Sequence, residues 1–418
     1  MARRVEGLDS ILWLETPDAF MKIAVVVQGR FHAFDLARAL IERGHNVTVF
    51  TNYPKWAVKR FDIASDRVRS FWLHGLVSRL AYRIRQRALW FEPERWLHPM
   101  FGRWVAARLA KEPWDVIHTW SGVSEEILKQ MNRADLLKFV MRGSAHIQTQ
   151  SKLLEQEERR VGSRMDRPGP WIIAREKREY DLADRVVVLS TFAYDSFVEE
   201  GVGHTKLHCL PLGASTSAFR PDRIVIEDRC QRILSGQPLR VLYVGLLAPR
   251  KGLIDMAKVI RSLKSTQFQF RLIGPVTVEA KKIVAELSDA AEFIPKQPQY
   301  KLPRWYAWGD VFVFPTVEDG FAVVLAQAFS SGLPILTTTN CCGPELVKEG
   351  ETGWILPIRS PEAYVERLLW CNSHREELAQ MVRDSYLKFR PRDWADVAAD
   401  FESLCVQDLT LKQSRSTV

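Results

Sequence analysis

Two clusters in the second half of the chain hold residues whose types and spacing could do chemistry. In "VGLLAPRKGL" an apolar, β-branched run ends at Gly245, and a loop then presents Arg250 and Lys251 before Gly252 and a helical stretch. Two cations at the carboxyl end of a strand, beside a helix start, suit a diphosphate. They would bind it and also neutralise it as a leaving group. In "EDGFAVVLAQAFSSGLPI" the acids Glu318 and Asp319 precede Gly320, and Gln327 sits inside the helix that follows. Backbone N–H groups at a helix start favour oxygen-rich, negative ligands, and a glycine lets the chain approach one closely. At about 1.5 Å per residue Gln327 lies roughly one to two turns into the helix. Asp319 and Gln327 could therefore grip two hydroxyl-bearing parts of one elongated ligand. The competing reading has Asp319 capping the helix and Gln327 satisfied inside the core.

These residues must be positioned by the elements around them, and those follow a strand-then-helix rhythm. "MKIAVVVQG", "FDLARALIERGH" and "NVTVFTNYP" read as a β-α-β unit with a glycine-bearing turn where ligands usually sit. Strands follow at "DVIHTW", "LKFVMRG" and "DRVVVLS". The rhythm breaks in "LHCLPLGASTSAFRPDR" and restarts with "LRVLYVG", "FQFRLIGP", "AEFIP", "DVFVFPT" and "PILTTT". Continuous short apolar runs, not alternating ones, indicate parallel strands covered on both faces. The expected fold class is α/β: two doubly wound domains facing each other across a cleft. Residues 1–20 read as an N-terminal extension, 21–215 as the first domain and 216–238 as a linker acting as a hinge. Residues 239–375 read as the second domain, and 376–418 as helices packing back towards the first, with "RDWADVAADFESLCVQ" amphipathic.

Composition narrows the function classes. Of the 418 residues 46% are hydrophobic and 26% charged, as in an ordinary globular protein. No apolar run approaches the roughly 18 residues of a membrane span. Acids at positions 6, 9, 15 and 18 make the first 20 residues unlike a secretory leader. Six cysteines without metal-like Cys/His spacing, the adjacent Cys341 and Cys342 among them, point to structural thiols in a reducing compartment and to no bound metal. The net charge of +9 is uneven, with twelve Lys/Arg against four Asp/Glu between residues 51 and 110. There arginines interleave with Trp90, Trp96 and Trp104, which suits a surface lying on anionic lipid headgroups. A solvated basic helix with core-facing aromatics is the plainer alternative. No nucleic-acid motif accompanies the charge, so no nucleic acid is expected as partner.

Taken in order, "VGLLAPRKG" and "LPRWYAWGDVFVFPTVEDGFAVVLAQAFSSGLPILTTTNCCGPELVKEGETGWILP" resemble the GT-B fold retaining glycosyltransferases of family 4. The resemblance covers about 239 to 359 and implies two Rossmann-like domains, the second holding most of a nucleotide-sugar donor. Position by position, the family's acid-x7-acid motif falls on Asp319, which would contact hydroxyls of the donor sugar, and on Gln327, which would hold the ribose through its amide. Glu318 is a rival for the first role, with Ala326 at its matching second position. Gly320, Phe321, Ala322 and Val323 would add donor contacts, in part through backbone N–H groups. The basic pair falls on Arg250 and Lys251 as catalytic cations, while Leu246 follows Gly245 where relatives often have arginine.

On the first domain, "QGRFHAF" offers Gly29, Arg30 and His32 to the acceptor or the donor phosphates. "MRGSAHIQTQ" offers Arg142, Ser144 and His146, the last beside the donor sugar. Asn340, Gly343, Pro344 and Glu345 follow another strand end, Glu345 capping a helix or meeting the nucleotide. The resemblance implies transfer of a sugar from a nucleotide-sugar to a glycan or lipid-linked acceptor, with retained configuration and no metal or other cofactor. It implies a role in surface polysaccharide or glycolipid synthesis, in the cytoplasm and peripheral to the inner face of the cell membrane. A non-catalytic scaffold on the same fold, a nucleotide-sugar epimerase and a nucleic-acid binder are the alternatives.

Overall fold

Short runs of β-branched and aromatic residues form two parallel sheets, and helices cover both faces of each. The computed structural model of the chain describes residues 20–416 except 86, 87, 89, 163 and 264–266. The expected extension, Phe20 apart, lies outside the described residues. In the first sheet the strands are β1 (Lys22–Val27), β2 (Asn46–Thr51), β3 (Val68–Ser70), β4 (Val116–Trp120), β5 (Leu137–Met141), β6 (Arg185–Val188) and β7 (Leu207–Cys209). Their order is β3-β2-β1-β4-β5-β6-β7. The second sheet holds β8 (Leu239–Val244), β9 (Phe268–Ile273), β10 (Glu292–Ile294), β11 (Val311–Phe314), β12 (Ile335–Thr338) and β13 (Gly353–Leu356). Its order is β10-β9-β8-β11-β12-β13.

Each order reverses direction once, between β1 and β4 and between β8 and β11. At such a switch point the flanking loops leave on opposite sides and open a crevice beyond the carboxyl ends of the strands. Ile23 pairs with Val116 at the first switch and Val241 with Val311 at the second. Both motif clusters of the second domain follow the two strands at its switch, Arg250 and Lys251 after β8 and Glu318 and Asp319 after β11.

The domain boundaries differ from those expected. The stretch 216–238 carries a twelve-residue helix, Arg223–Leu234, whose Ile226, Cys230 and Ile233 enter the second core. Arg229 on that helix is buried and donates to the carbonyls of Ser331 (2.7 Å), Gly332 (3.1 Å) and Tyr306 (3.1 Å). This segment is therefore part of the second domain, not a flexible linker. The helix Arg375–Lys388 likewise packs there, through Leu378, Ala379 and Val382. Only Trp394–Ser416 returns to the first domain, burying Val397, Phe401 and Cys405 in its core. The chain crosses between domains in two adjacent strands of loop. The N–H of Ala214 donates to the carbonyl of Arg392 (2.9 Å), and the Arg392 guanidinium to that of Pro211 (3.1 Å).

Phe401 anchors the returning helix, its ring edge-on to His118 and Phe139 at 4.9 and 5.9 Å. Phe401→Ala is expected to cost about 3–5 kcal/mol, the usual loss for a buried phenylalanine. Urea unfolding should show it in the first-domain transition, with the second domain unmoved.

Candidate active site

The second-domain half of the site is built where β8 and β11 end. After β8 a short turn, Pro249–Lys251, places Lys251 against the loop that follows β11. Its ammonium donates to Asp319 Oδ2 (2.6 Å) and to the Glu318 carbonyl (2.9 Å). Burial draws the Lys251 pKa below the ordinary lysine range, and the facing Asp319 carboxylate works against that fall. The other oxygen of Asp319 accepts from the N–H of Phe321 (3.2 Å). Asn340 accepts from the Asp319 N–H through its carbonyl (3.0 Å) and donates its amide to the Val317 carbonyl (2.9 Å). The acid-bearing loop is thus pinned from three directions.

Glu318 does something the sequence did not suggest. Its side chain is wholly buried and reaches the first domain, where Ser144 Oγ, the Ala145 N–H (3.3 Å) and the Gln150 amide (3.1 Å) donate to it. From its own domain Arg250 donates to it at 3.3 Å. Burial alone would raise its pKa; the charges of Arg250 and Lys251 and the donors from Ser144 and Gln150 outweigh that and hold it down at about 2. The network continues into the first domain, with Arg142 donating to Gln150 Oε1 (2.7 Å) and to Glu176 (3.4 Å). Beside it the two domains touch backbone to backbone. A Cβ on Gly320 would sit 2.3 Å from the Gly143 carbonyl oxygen, so only glycine permits the approach.

Between the domains lies a cavity of about 800 Å³, with Arg250 and Phe321 on one wall and Arg142, Ser144 and Gln150 on the other. Its far corner is the β1/β4 switch, lined by Gln28, His32 and Trp120. Gln28 Oε1, His32 Nε2 and Trp120 Nε1 are buried and have no hydrogen-bond partner among the described residues. The His32 ring lies between those of Trp120 and Trp394, at 5.2 and 6.2 Å. Burial lowers its pKa to about 4, so it is a neutral imidazole at pH 7. Three polar atoms beside the Trp120 indole suit a hydroxyl-rich ring.

Several expected site residues are used elsewhere. Gln327 is buried, and its Oε1 accepts from the Tyr306 hydroxyl (2.9 Å); it does not line the cavity. It is the satisfied core residue of the competing reading. His146 caps the helix Ile147–Val161 by accepting from the N–H of Gln148 (3.3 Å), with its ring on Tyr180 and Phe197. His32 and His98 line the cavity, and His146 does not. Arg30 turns to Asp35 (3.4 Å) and lies over the Phe61 ring, away from the cavity wall. Gly29 shapes the turn, its N–H donating to Asn52 Oδ1 (2.8 Å). Gly245 closes β8 against the Phe314 ring, and Ala322 is buried as the cap of the helix Val323–Ser330. Glu345 accepts from Thr191 (2.6 and 2.9 Å) and so caps a helix of the opposite domain. Gln28, Trp120 and Gln150 were missed. The signal for the first two was a polar or indole side chain closing an apolar strand.

Glu318→Gln removes the charge that Arg250 and the first-domain donors satisfy, and should cost about 1.5–3 kcal/mol at pH 7. A carboxylate with a depressed folded pKa stabilises above its ordinary value of 4.5 and loses that contribution as pH falls towards about 2. The melting-temperature gap between parent and variant should therefore be full above pH 5 and shrink on acidification to pH 3.

Comparison with known proteins agrees with this geometry. Residues 30–218 match the family model Glycosyltransferase Family 4, and residues 238–373 match Glycosyl transferases group 1, together more than three quarters of the chain. The amylovoran biosynthesis glycosyltransferase AmsK of Erwinia amylovora is 28% identical over 158 residues, 35% of this chain and 39% of that protein. The D-inositol 3-phosphate glycosyltransferase of Corynebacterium glutamicum is 28% identical over 207 residues, 46% of this chain and 49% of that one. The chain spans less than half the length of these relatives. HepE of Anabaena, solved in complex with UDP, shares the fold, with a TM-score of 0.66 at 13% identity over 93% of this chain and 100% of that one. A family 4 domain followed by a group 1 domain, on two doubly wound sheets facing a cleft, makes this chain a member of the GT-B glycosyltransferases.

Proposed function

We propose that the protein transfers a sugar from a nucleotide-diphosphate sugar to an acceptor hydroxyl, with the anomeric configuration retained. The observation that carries this reading is the placement of Arg250 on the cleft wall, with Lys251 and Asp319 behind it, at the switch point of the second sheet. In this mechanism Arg250 and Lys251 stabilise the diphosphate as its bond to the anomeric carbon breaks and the electron pair leaves with the phosphate oxygen. The acceptor oxygen bonds to the same carbon from the face the diphosphate leaves, and its proton passes to the departing phosphate. Asp319, behind Arg250 and fixed by Lys251 and the Phe321 N–H, holds the loop that presents Phe321 to the sugar. The neutral His32 and the indole of Trp120 hold the acceptor side. The cations are the chain's own, and no metal or other cofactor is required. The relative named for amylovoran biosynthesis supports a glycan acceptor.

A binding-only scaffold is the second reading. The fixed engagement of Gln327 with Tyr306 favours it, because the family's second acid has no counterpart facing the cleft.

Thermal unfolding with a panel of UDP-, GDP-, ADP- and dTDP-sugars tests the proposal. One nucleotide class should raise the melting temperature, by about 2.7 kcal/mol of added stability at a hundredfold excess over Kd, and Asp319→Ala should weaken the shift. Arg250→Ala should lower turnover about 10²–10³-fold, the usual loss of one transition-state donor. Donor-dependent stabilisation without donor hydrolysis or transfer would select the scaffold instead.

A further inference from the structure

The tryptophan row expected between residues 51 and 110 is split: Trp90 and Trp96 are exposed, but Trp104 packs on Phe71 (5.0 Å) with Arg108 over it. An unbroken alternation of arginine and tryptophan stands instead on the second domain. Arg304 lies over the Trp305 ring at 4.5 Å, and Arg271 over the same ring at 5.0 Å. Arg271 also covers Trp308 (3.9 Å), which Arg240 meets in turn (5.6 Å). Five side chains from β8, β9 and the helix Pro303–Trp308 thus form one row of cations and indoles.

The row occupies a sheet face that helices ordinarily cover in full. Arg240 pairs in register with Gln269, Leu242 with Arg271, and Arg271 with Glu292. Side chains alternate along a strand, so Arg240, Gln269, Arg271 and Glu292 share one face of β8, β9 and β10. Gln269 and Glu292 are exposed there, and Arg240 is half-buried. The place is remote from the cleft. Arg240 and Trp308 stand at the amino ends of β8 and β11, opposite to the ends that carry Arg250 and Asp319.

The charges of this face do not balance. Asp310 accepts from Arg232 (2.6 Å) and from the Arg240 N–H (2.9 Å). That leaves the Arg240 guanidinium on the Trp308 ring without a hydrogen-bond or ion-pair partner among the described residues. Arg304 is exposed and likewise held by a ring alone. Only Arg271 has a carboxylate, Glu292 at 2.6 Å. Burial and the charges of Arg232 and Arg271 draw the Arg240 pKa below its ordinary value, against the pull of Asp310. Like charges gathered this closely are relieved by an anion from outside. Trp305 Nε1 is buried and has no partner among the described residues, so the chain does not itself complete the row.

We propose that this face binds a glycan bearing carboxylates. A guanidinium stacked on an indole keeps its planar N–H edge free, and that fork matches a carboxylate. The indoles offer apolar surface to a sugar ring, while Gln269 and Glu292 can accept from its hydroxyls. A nucleic acid fits less well, because its charge is continuous and Glu292 stands within the row. Resting on the transferase reading above, an acidic polymer held here and in the cleft at once is bound at two points, which raises its effective concentration at the site.

Retention of the full chain on beads carrying polygalacturonate, dextran or oligo(dT), at one fixed salt concentration, tests this. The parent should be held by polygalacturonate and not by dextran. Arg240→Ala/Arg304→Ala should bind polygalacturonate at least about tenfold more weakly. Arg79→Ala/Arg83→Ala, an equal loss of exposed charge on the first domain, should bind as the parent does. Arg304→Glu alone, at an exposed position, takes the place of the double variant if that one no longer melts cooperatively. A parent that polygalacturonate does not hold, or an Arg240/Arg304 variant that binds like the parent, would overturn the proposal. So would an equal loss in both double variants, which makes the binding a matter of net charge, or tighter binding to oligo(dT) than to polygalacturonate. The melting shift with a nucleotide-sugar is read on the same proteins. A shift without retention removes only this surface, and retention without a shift removes only the transferase reading.

Discussion

The buried carboxylate of Glu318 is the constraint on which the arrangement of the two domains rests. A charge taken out of water is tolerated only where donors surround it. Here the donors come from both domains: Arg250 from one side, Ser144, the Ala145 N–H and Gln150 from the other. Separating the domains would leave Glu318 without three of these four donors, so the carboxylate holds the cleft closed. Because Arg250 is shared between Glu318 and the cavity, an anion entering the cleft competes for the cation that fastens the domains. Ligand and closure are thereby linked through one guanidinium.

A second buried contact repeats the device farther out. Glu157 of the first domain is fully buried and accepts from Arg160 beside it (2.9 Å) and from Arg359 of the second domain (2.6 Å). Arg160 in turn reaches Asp255, on the helix that follows the Arg250–Lys251 turn. Arg359 holds a left-handed backbone, φ 61°, unusual for a residue with a side chain and sustained by its three contacts to the helix Ile147–Val161. On the far edge Glu345 caps a first-domain helix at Thr191. The side-by-side crossings near Ala214 and Arg392 complete the set. The natural opening motion is rotation about that paired crossing, with the buried carboxylates as latches.

Much of this architecture was legible because parallel strands are buried on both faces and so read as unbroken apolar runs. Of the four strands that set the switch points, β1 and β11 are of this kind, β8 is broken only by Arg240, and β4 is buried throughout although it carries His118 and Thr119. "VRS", "LHC" and "GWIL" form β3, β7 and β13, short strands at sheet edges, where a central arginine, a central histidine and a leading glycine interrupt the apolar pattern. The helix Arg223–Leu234 was hidden because five of its twelve residues are charged. One of those charges, Arg229, is buried, and its terminal nitrogens donate to four carbonyls that come from distant parts of the chain. The site divides in the same way. Arg250, Lys251 and Asp319 follow strand ends and were found from local pattern. Gln150 acquires its place in the site through Glu318, 168 residues away, as well as through Arg142 and Ser144, and His146 and His32 are indistinguishable until packing decides which one faces the cleft.

The amide at 327 fits the charge balance of this site. Arg250 and Lys251 are already matched by Glu318 and Asp319, so the four groups sum to no net charge. A third carboxylate at 327 would sit in the core beside a tyrosine hydroxyl, the one donor it is seen to receive, with no cation of its own. The cost of that unpaired charge would fall on the fold, and its field would oppose a diphosphate at Arg250. With glutamine there, Tyr306 is satisfied, the wall stays neutral, and attraction for the anion is left to the exposed part of Arg250. For the proposed donor, contacts to the nucleotide's sugar would come from backbone and side chains nearer the cleft than 327, and Phe321 lines the cavity in that position.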